Sequence, residues 1–125
     1  MRKPLSPLGE TEMEILKHVW ELGEASVADV REKMLEYRDV AYTTVMTIMK
    51  NLADKKYLKY REEGRSYIYS AAIDPNDVRF NLIDRLVDKV FEGSPKELVQ
   101  TLVQSENLTE AERREIKKMI EKLKD

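Results

Sequence analysis

Residues 40–71, VAYTTVMTIMKNLADKKYLKYREEGRSYIYSA, decide how this chain folds. Val45, Ile48, Met49 and Leu52 stand at i, i+3, i+4 and i+7, which predicts one apolar face of a helix. Thr43, Thr44, Thr47, Lys50 and Asn51 fall on the other side. That outward face is short, polar and able to hydrogen-bond, the chemistry that base edges in a DNA major groove call for. Beyond the helix, Tyr57-Leu58-Lys59-Tyr60-Arg61 and Ser66-Tyr67-Ile68-Tyr69 are β-rich runs. Glu62, Glu63, Gly64 and Arg65 between them predict a turn, so the pair predicts a β-hairpin. A helix with an exposed polar face, followed by a basic hairpin, predicts the DNA-facing half of a winged helix.

Upstream, residues 4–9 are an irregular lead-in. Met13, Leu16, Val19 and Trp20 then recur at helical spacing, and Gly23 stops that helix. Glu24-Ala25-Ser26 is short enough for one strand pairing with the later hairpin. Ser26 with Asp29 reads as a capping box with Asp in place of Glu. Val27, Val30, Met34 and Leu35 give a second helix of about ten residues. Arg38-Asp39-Val40 is a tight connection, so the plan is helix, turn, helix. Small helical bundles share that plan without touching DNA. Only the hairpin and the threonine-rich face separate the two readings.

Downstream, Asp74-Pro75 opens another helix, since Asp caps and Pro suits the first helical position. Val78, Leu82, Ile83, Leu86, Val87, Val90 and Phe91 give it an apolar stripe too wide for one small partner. Gly93 ends it. Ser94-Pro95-Lys96-Glu97 caps a short helix bearing Leu98, Val99, Leu102 and Val103. Thr109 with Glu112 caps a last helix carrying Ile116, Met119, Ile120 and Leu123. Three helices in roughly fifty residues rarely stabilise themselves without staples. The chain has no cysteine, so a second copy of the chain is the expected source of burial. Leu82, Leu86, Val90, Leu102, Ile116 and Ile120 are the expected dimer seam.

Composition sets the outer bounds. A chain of 125 residues holds one domain or two small ones, here expected as residues 1–73 and 74–125. No apolar run approaches the about 18 residues of a membrane span. Residues 1–8 lack the apolar centre of a signal peptide, so a cytoplasmic protein without membrane insertion is expected. The net charge of −2 conceals a gradient. Residues 38–73 carry seven basic and four acidic side chains, while the flanking segments are net acidic. Positive charge thus collects where phosphates would be met. Enzyme chemistry finds little support: there is one histidine, His18, no cysteine and no glycine-rich phosphate loop. No cofactor or metal is expected.

With those residues in view, the chain resembles the BlaI/MecI penicillinase-repressor family almost end to end. Leu8, Glu12 and Trp20 carry the likeness in the first helix, and Tyr42-Thr43-Thr44-Val45-Met46-Thr47 with Leu52 carry it in the third. Tyr67-Ile68-Tyr69 continue it in the hairpin, and Gly93 with Leu98-Val99 in the tail. The resemblance implies a winged-helix repressor that dimerises through its C-terminal helices and binds a palindromic operator. It also implies relief by a sensor-linked protease, with the scissile bond between Thr101 and Leu102, where the family usually has Asn-Phe. Family members often place basic residues where this chain has Met46 and Asn51. A related branch senses copper through a cysteine cluster, which this chain lacks.

The expected fold class is mainly α with a small β-hairpin: a winged helix-turn-helix domain followed by a C-terminal three-helix dimerisation region. The expected function is sequence-specific transcriptional repression by a homodimer on double-stranded operator DNA. Thr43, Thr44, Thr47 and Lys50 are the expected base contacts. Tyr42, Lys55, Lys56, Arg61 and Arg65 are the expected phosphate contacts. The competing reading is a winged helix that serves only as a protein–protein interaction module, without DNA binding.

Overall fold

The computed structural model describes residues 5–123; Pro4, the first residue of the expected lead-in, and the rest of residues 1–4 lie outside that range. The elements run α1 (Glu10–Leu22), β1 (Glu24–Ala25), α2 (Val27–Leu35), α3 (Tyr42–Asp54), β2 (Leu58–Glu63), β3 (Ser66–Ala71), α4 (Pro75–Val90), α5 (Pro95–Val103) and α6 (Glu110–Glu121). By backbone contacts they form two units, residues 1–81 and 82–125. The division falls inside α4, about two turns beyond the expected boundary. Its cause lies in the first turns of α4. Val78 is buried there, and the Arg79 guanidinium stands 5.2 Å from the centre of the Trp20 ring.

In the first unit the core is a three-helix contact closed by a small sheet. Ile15, Leu16 and Val19 from α1 meet Val27, Val30 and Met34 from α2 and Val45, Met49 and Leu52 from α3. Each set repeats at three or four residues, so each helix turns one row inward. Ile15 displaces Met13 and Trp20 from the expected row, because the buried side of α1 runs through Ile15 and Val19, one turn apart. Leu35 is exposed, since α2 ends there.

The sheet order is β1-β3-β2, all antiparallel, with Glu24 opposite Ser70 and Tyr60 opposite Tyr69. The hairpin is tighter than the sequence predicts. Glu63 pairs with Ser66, leaving a turn of only Gly64 and Arg65. Gly64 takes φ 63 at the first turn position, where a side chain would be strained.

Polar contacts fix the helix junctions. Ser26 Oγ accepts from the Asp29 N–H at 3.1 Å, and the Asp29 carboxylate accepts from the Ser26 N–H at 3.0 Å. At the end of α2, Arg38 donates to Glu14 at 2.7 and 3.2 Å. Tyr37 gives its only hydroxyl proton to the same carboxylate. His18 Nε2, 2.8 Å from that hydroxyl, must therefore be the protonated ring nitrogen. The single histidine is thus part of a tie between α1 and the turn leading to α3.

The second unit comprises the rest of α4 with α5 and α6. Ser94 Oγ caps α5 by accepting from Glu97 N–H, and Thr109 with Glu112 forms the full reciprocal box on α6. Neither α5 nor α6 has a buried residue.

Helix α3 ends on a left-handed residue that is not glycine. Lys56 has φ 71, its N–H bonds to Ala53 O, and Tyr57 N–H reaches back to Leu52 O. This is the Schellman pattern, whose left-handed position favours glycine. Lys56→Gly is expected to raise unfolding free energy by about 0.5–1 kcal/mol, read from chemical denaturation midpoints at constant slope. A destabilised variant would contradict the assignment.

Candidate nucleic-acid interface

The inward row Val45, Met49 and Leu52 fixes which residues of α3 face out. Thr43, Thr44 and Thr47 are exposed and together line a shallow groove with Ile48. Each hydroxyl can donate or accept, and each methyl can touch an apolar group. Asn51 and Lys50 are also exposed. Tyr42, Met46 and Lys50, spaced four apart, form a separate row. That row faces the hairpin across a slot of about 190 Å³ completed by Ser26, Val27, Ala28, Arg65, Ser66, Tyr67 and Tyr69. The side chains of Tyr60, Tyr67 and Tyr69 cluster on that hairpin, with ring centres 4.8 and 5.5 Å apart. These aromatic contacts stiffen the strand pair.

The expected phosphate contacts divide into two groups. Lys56 and Arg65 are exposed and have no carboxylate partner among the described residues. Lys55 and Arg61 have protein partners instead. Lys55 Nζ donates to both Glu12 oxygens at 2.9 and 2.8 Å and to Pro7 O at 3.1 Å. Arg61 donates to Glu24 at 2.5 Å and to Glu63 at 2.8 Å. By strand alternation Arg61 lies on the opposite face of the hairpin from Tyr67 and Tyr69. There it shares a depression with Lys59, Tyr60 and Glu24. Sequence reading identified the cations of this segment. It lacked the carboxylates of Glu12 and Glu24, which come from the start of α1 and from β1.

The Glu12–Lys55 pair ties the end of α3 to the start of α1. The side chains are 17% and 33% exposed. Burial works against the charged form of Glu12, yet the Lys55 hydrogen bond, the Gly9 N–H and the Lys55 charge outweigh it and hold its carboxyl below the usual range. Beside it, the Tyr57 hydroxyl donates to Ser6 O, so the lead-in is pinned at two points. Sequence reasoning missed Ser26, Met46, Ser66 and Tyr67 as lining residues. The spacing of Tyr42, Met46 and Lys50 was readable, but the position of the hairpin opposite them was not.

Comparison with known proteins places this geometry. The penicillinase repressor family profile matches residues 8–122. The chain belongs to the penicillinase repressor family. Its members are DNA-binding transcriptional repressors rather than enzymes. The repressor is 22% identical over 115 residues to the methicillin resistance regulatory protein MecI of Mammaliicoccus sciuri, covering 92% of this chain and 94% of that one. It is 29% identical over 110 residues to the transcriptional regulator BlaI of Mycobacterium tuberculosis, covering 86% and 80% of the two chains. Among solved structures, the DNA-binding domain of BlaI matches with TM-score 0.53 and 24% identity, over 61% of this chain and 93% of that domain. The monomeric Bacillus licheniformis BlaI in complex with the blaP half-operator matches with TM-score 0.51 and 25% identity, over 62% and 93%. Both confirm the winged-helix fold. No helix among the described residues is long and apolar enough to cross a membrane.

Replacing Lys55 tests the tie to α1. A carboxyl held below its unfolded value of about 4.3 adds stability above that pH and loses it as pH falls through the folded value. Lys55→Met is expected to cost about 1–2 kcal/mol at neutral pH. The loss should shrink as pH drops below about 4.3, where the parent protein loses the same contribution. Denaturation at a series of pH values checks this; a cost independent of pH would assign it to packing alone.

Proposed function

We propose that this repressor acts as a homodimer on a palindromic operator, with one α3 in the major groove of each half-site. The threonine strip carries the DNA-binding half of the reading. Thr43, Thr44 and Thr47 stand in solvent on α3, whose opposite side, Val45, Met49 and Leu52, is fully buried. Among the described residues no side-chain hydrogen bond engages those hydroxyls, and base edges are their natural partners. Lys56 and Arg65 flank the strip as positioning contacts to phosphate. The Bacillus licheniformis relative, solved in complex with a half-operator, supports DNA as the partner of this fold.

The dimer half of the reading rests on the second unit. Leu86, Val90, Leu102, Met119, Ile120 and Leu123 are all exposed in the single chain, with Val90 at 61% and Ile120 at 56%. Apolar groups this dense in a unit without a buried residue on α5 or α6 are stabilised only when another surface covers them. A second copy does so by closing symmetry and joins two half-site contacts into one complex.

Release by proteolysis fits the same unit. Thr101 and Leu102 lie exposed near the end of α5. Opening that helix exposes no buried side chain of its own, so a sensor-linked protease would meet little resistance there.

The decisive experiment combines sedimentation with operator selection from a random DNA pool. The full chain should sediment as a dimer, and Leu86→Asp should dissociate it by placing a charge in the seam. Thr47→Ala should relax sequence preference at one position per half-site, at about 1–3 kcal/mol. A chain ending at Thr101 should retain the winged helix and lose most dimerisation and operator affinity. A full-length monomer with tight operator binding would refute the dimer, and an undiminished dimer ending at Thr101 would refute release by cleavage.

A further inference from the structure

The slot between α3 and the hairpin changes the role of one residue. Sequence pattern groups Lys50 with the threonines, because all four lie on the outward half of α3. The folded chain separates them. Thr43, Thr44 and Thr47 share a groove with Ile48, whereas Lys50 shares a row with Tyr42 and Met46 and faces the wing. We propose that Lys50 is a phosphate ligand rather than a base reader, and that with Arg65 it holds the sugar–phosphate backbone of operator DNA in this slot. The inference rests on the DNA-binding reading above and assigns a subsite within it.

The chemistry of the lining favours a phosphodiester. The slot presents two cations, Lys50 and Arg65, and the hydroxyl-bearing residues Ser26, Tyr42, Ser66 and Tyr67, with no carboxylate and no side-chain amide among its lining residues; Tyr69 also lines it but is buried. Such a set donates to anionic oxygens and offers no carboxylate to accept from cytosine or bidentate amide for adenine. Ser26 Oγ already accepts from the Asp29 N–H, so its own hydroxyl proton is left to donate outward. Met46, between Tyr42 and Lys50, supplies an apolar surface against which a deoxyribose can rest. At about 190 Å³ the slot suits a projecting backbone group rather than a base pair.

Charge pairing points the same way. Neither Lys50 nor Arg65 has a carboxylate partner among the described residues. On the other face of the wing, Arg61 is held by Glu24 and Glu63, and behind α3 Lys55 is held by Glu12. Arg61 and Lys55, which point away from the slot, are thus neutralised, while Lys50 and Arg65 within it stay uncompensated. Uncompensated cations are the ones that release counterions from DNA when they bind.

The test measures affinity of the full-length protein for its selected operator and for an unrelated duplex across a salt series. Lys50→Ala should weaken both duplexes by a similar factor. Sequences selected from a random pool by Lys50→Ala should match those of the parent. Lys50→Arg should restore affinity, since either cation serves a phosphate. Lys50→Ala/Arg65→Ala should reduce the slope of log affinity against log salt by at least about 0.9, one phosphate's share. Thr47→Ala is the contrast, with altered selection and an unchanged slope. If Lys50→Ala alters selection at one base pair and the double variant keeps the parent slope, Lys50 reads a base and the proposal fails. If the parent itself shows no salt-dependent duplex affinity, the DNA-binding reading fails first, and the subsite with it.

Discussion

Burial of Val45, Met49 and Leu52 against α1 and α2 is the constraint on which the interface depends. These three side chains are inaccessible to solvent. Together they fix the rotation of α3 about its own axis, since turning the helix by one residue would move an apolar row into water and a polar one into the core. Each large apolar side chain exposed in that way would cost about 1.5–3 kcal/mol. The outward direction of Thr43, Thr44 and Thr47 is therefore a consequence of packing on the far side of the helix. The ties around α3 add to this. The Arg38–Glu14–Tyr37–His18 chain fixes the turn entering it, and Glu12 with Lys55 fixes its exit.

The basic segment divides its charges by neighbourhood. Seven cations lie between residues 38 and 73, yet three of them, Arg38, Lys55 and Arg61, are committed to glutamates from α1 and β1. The exposed pairs of Arg38 and Arg61 contribute little to stability. Their larger effect is on the field around the wing. They leave Lys50 and Arg65 uncompensated on the side of the slot and reduce the charge of the opposite face, so the segment's charge acquires a direction that its net value does not convey.

The second unit is organised by what it leaves uncovered. Its helices are well capped, with Ser94 and Thr109 satisfying backbone donors at their starts. Local order is thus supplied by hydrogen bonds within each terminus, while the apolar side chains of α5 and α6 stay in solvent. Good caps with an unfilled core describe a unit whose elements are preformed and whose apolar side chains are left uncovered in the single chain.

The sequence by itself determined the elements. Apolar periodicity, glycine stops and Ser/Thr/Asp caps are local, and they located six helices and the hairpin to within a few residues. The family resemblance was equally legible, because it rests on residues along one line of chain. The turn of the hairpin was read two residues too wide, since pairing of Glu62 and Glu63 with Tyr67 and Ser66 depends on register rather than propensity. Tertiary structure alone decided which cations are engaged. Glu12 and Lys55 are 43 positions apart, and Glu24 and Arg61 are 37 apart, distances over which no sequence pattern reports contact. It alone also split the outward face of α3 into a threonine groove and a lysine row. That split needs the wing standing opposite Tyr42, Met46 and Lys50, and the wing's place is set by β1 pairing with β3, a contact between the two ends of the winged helix.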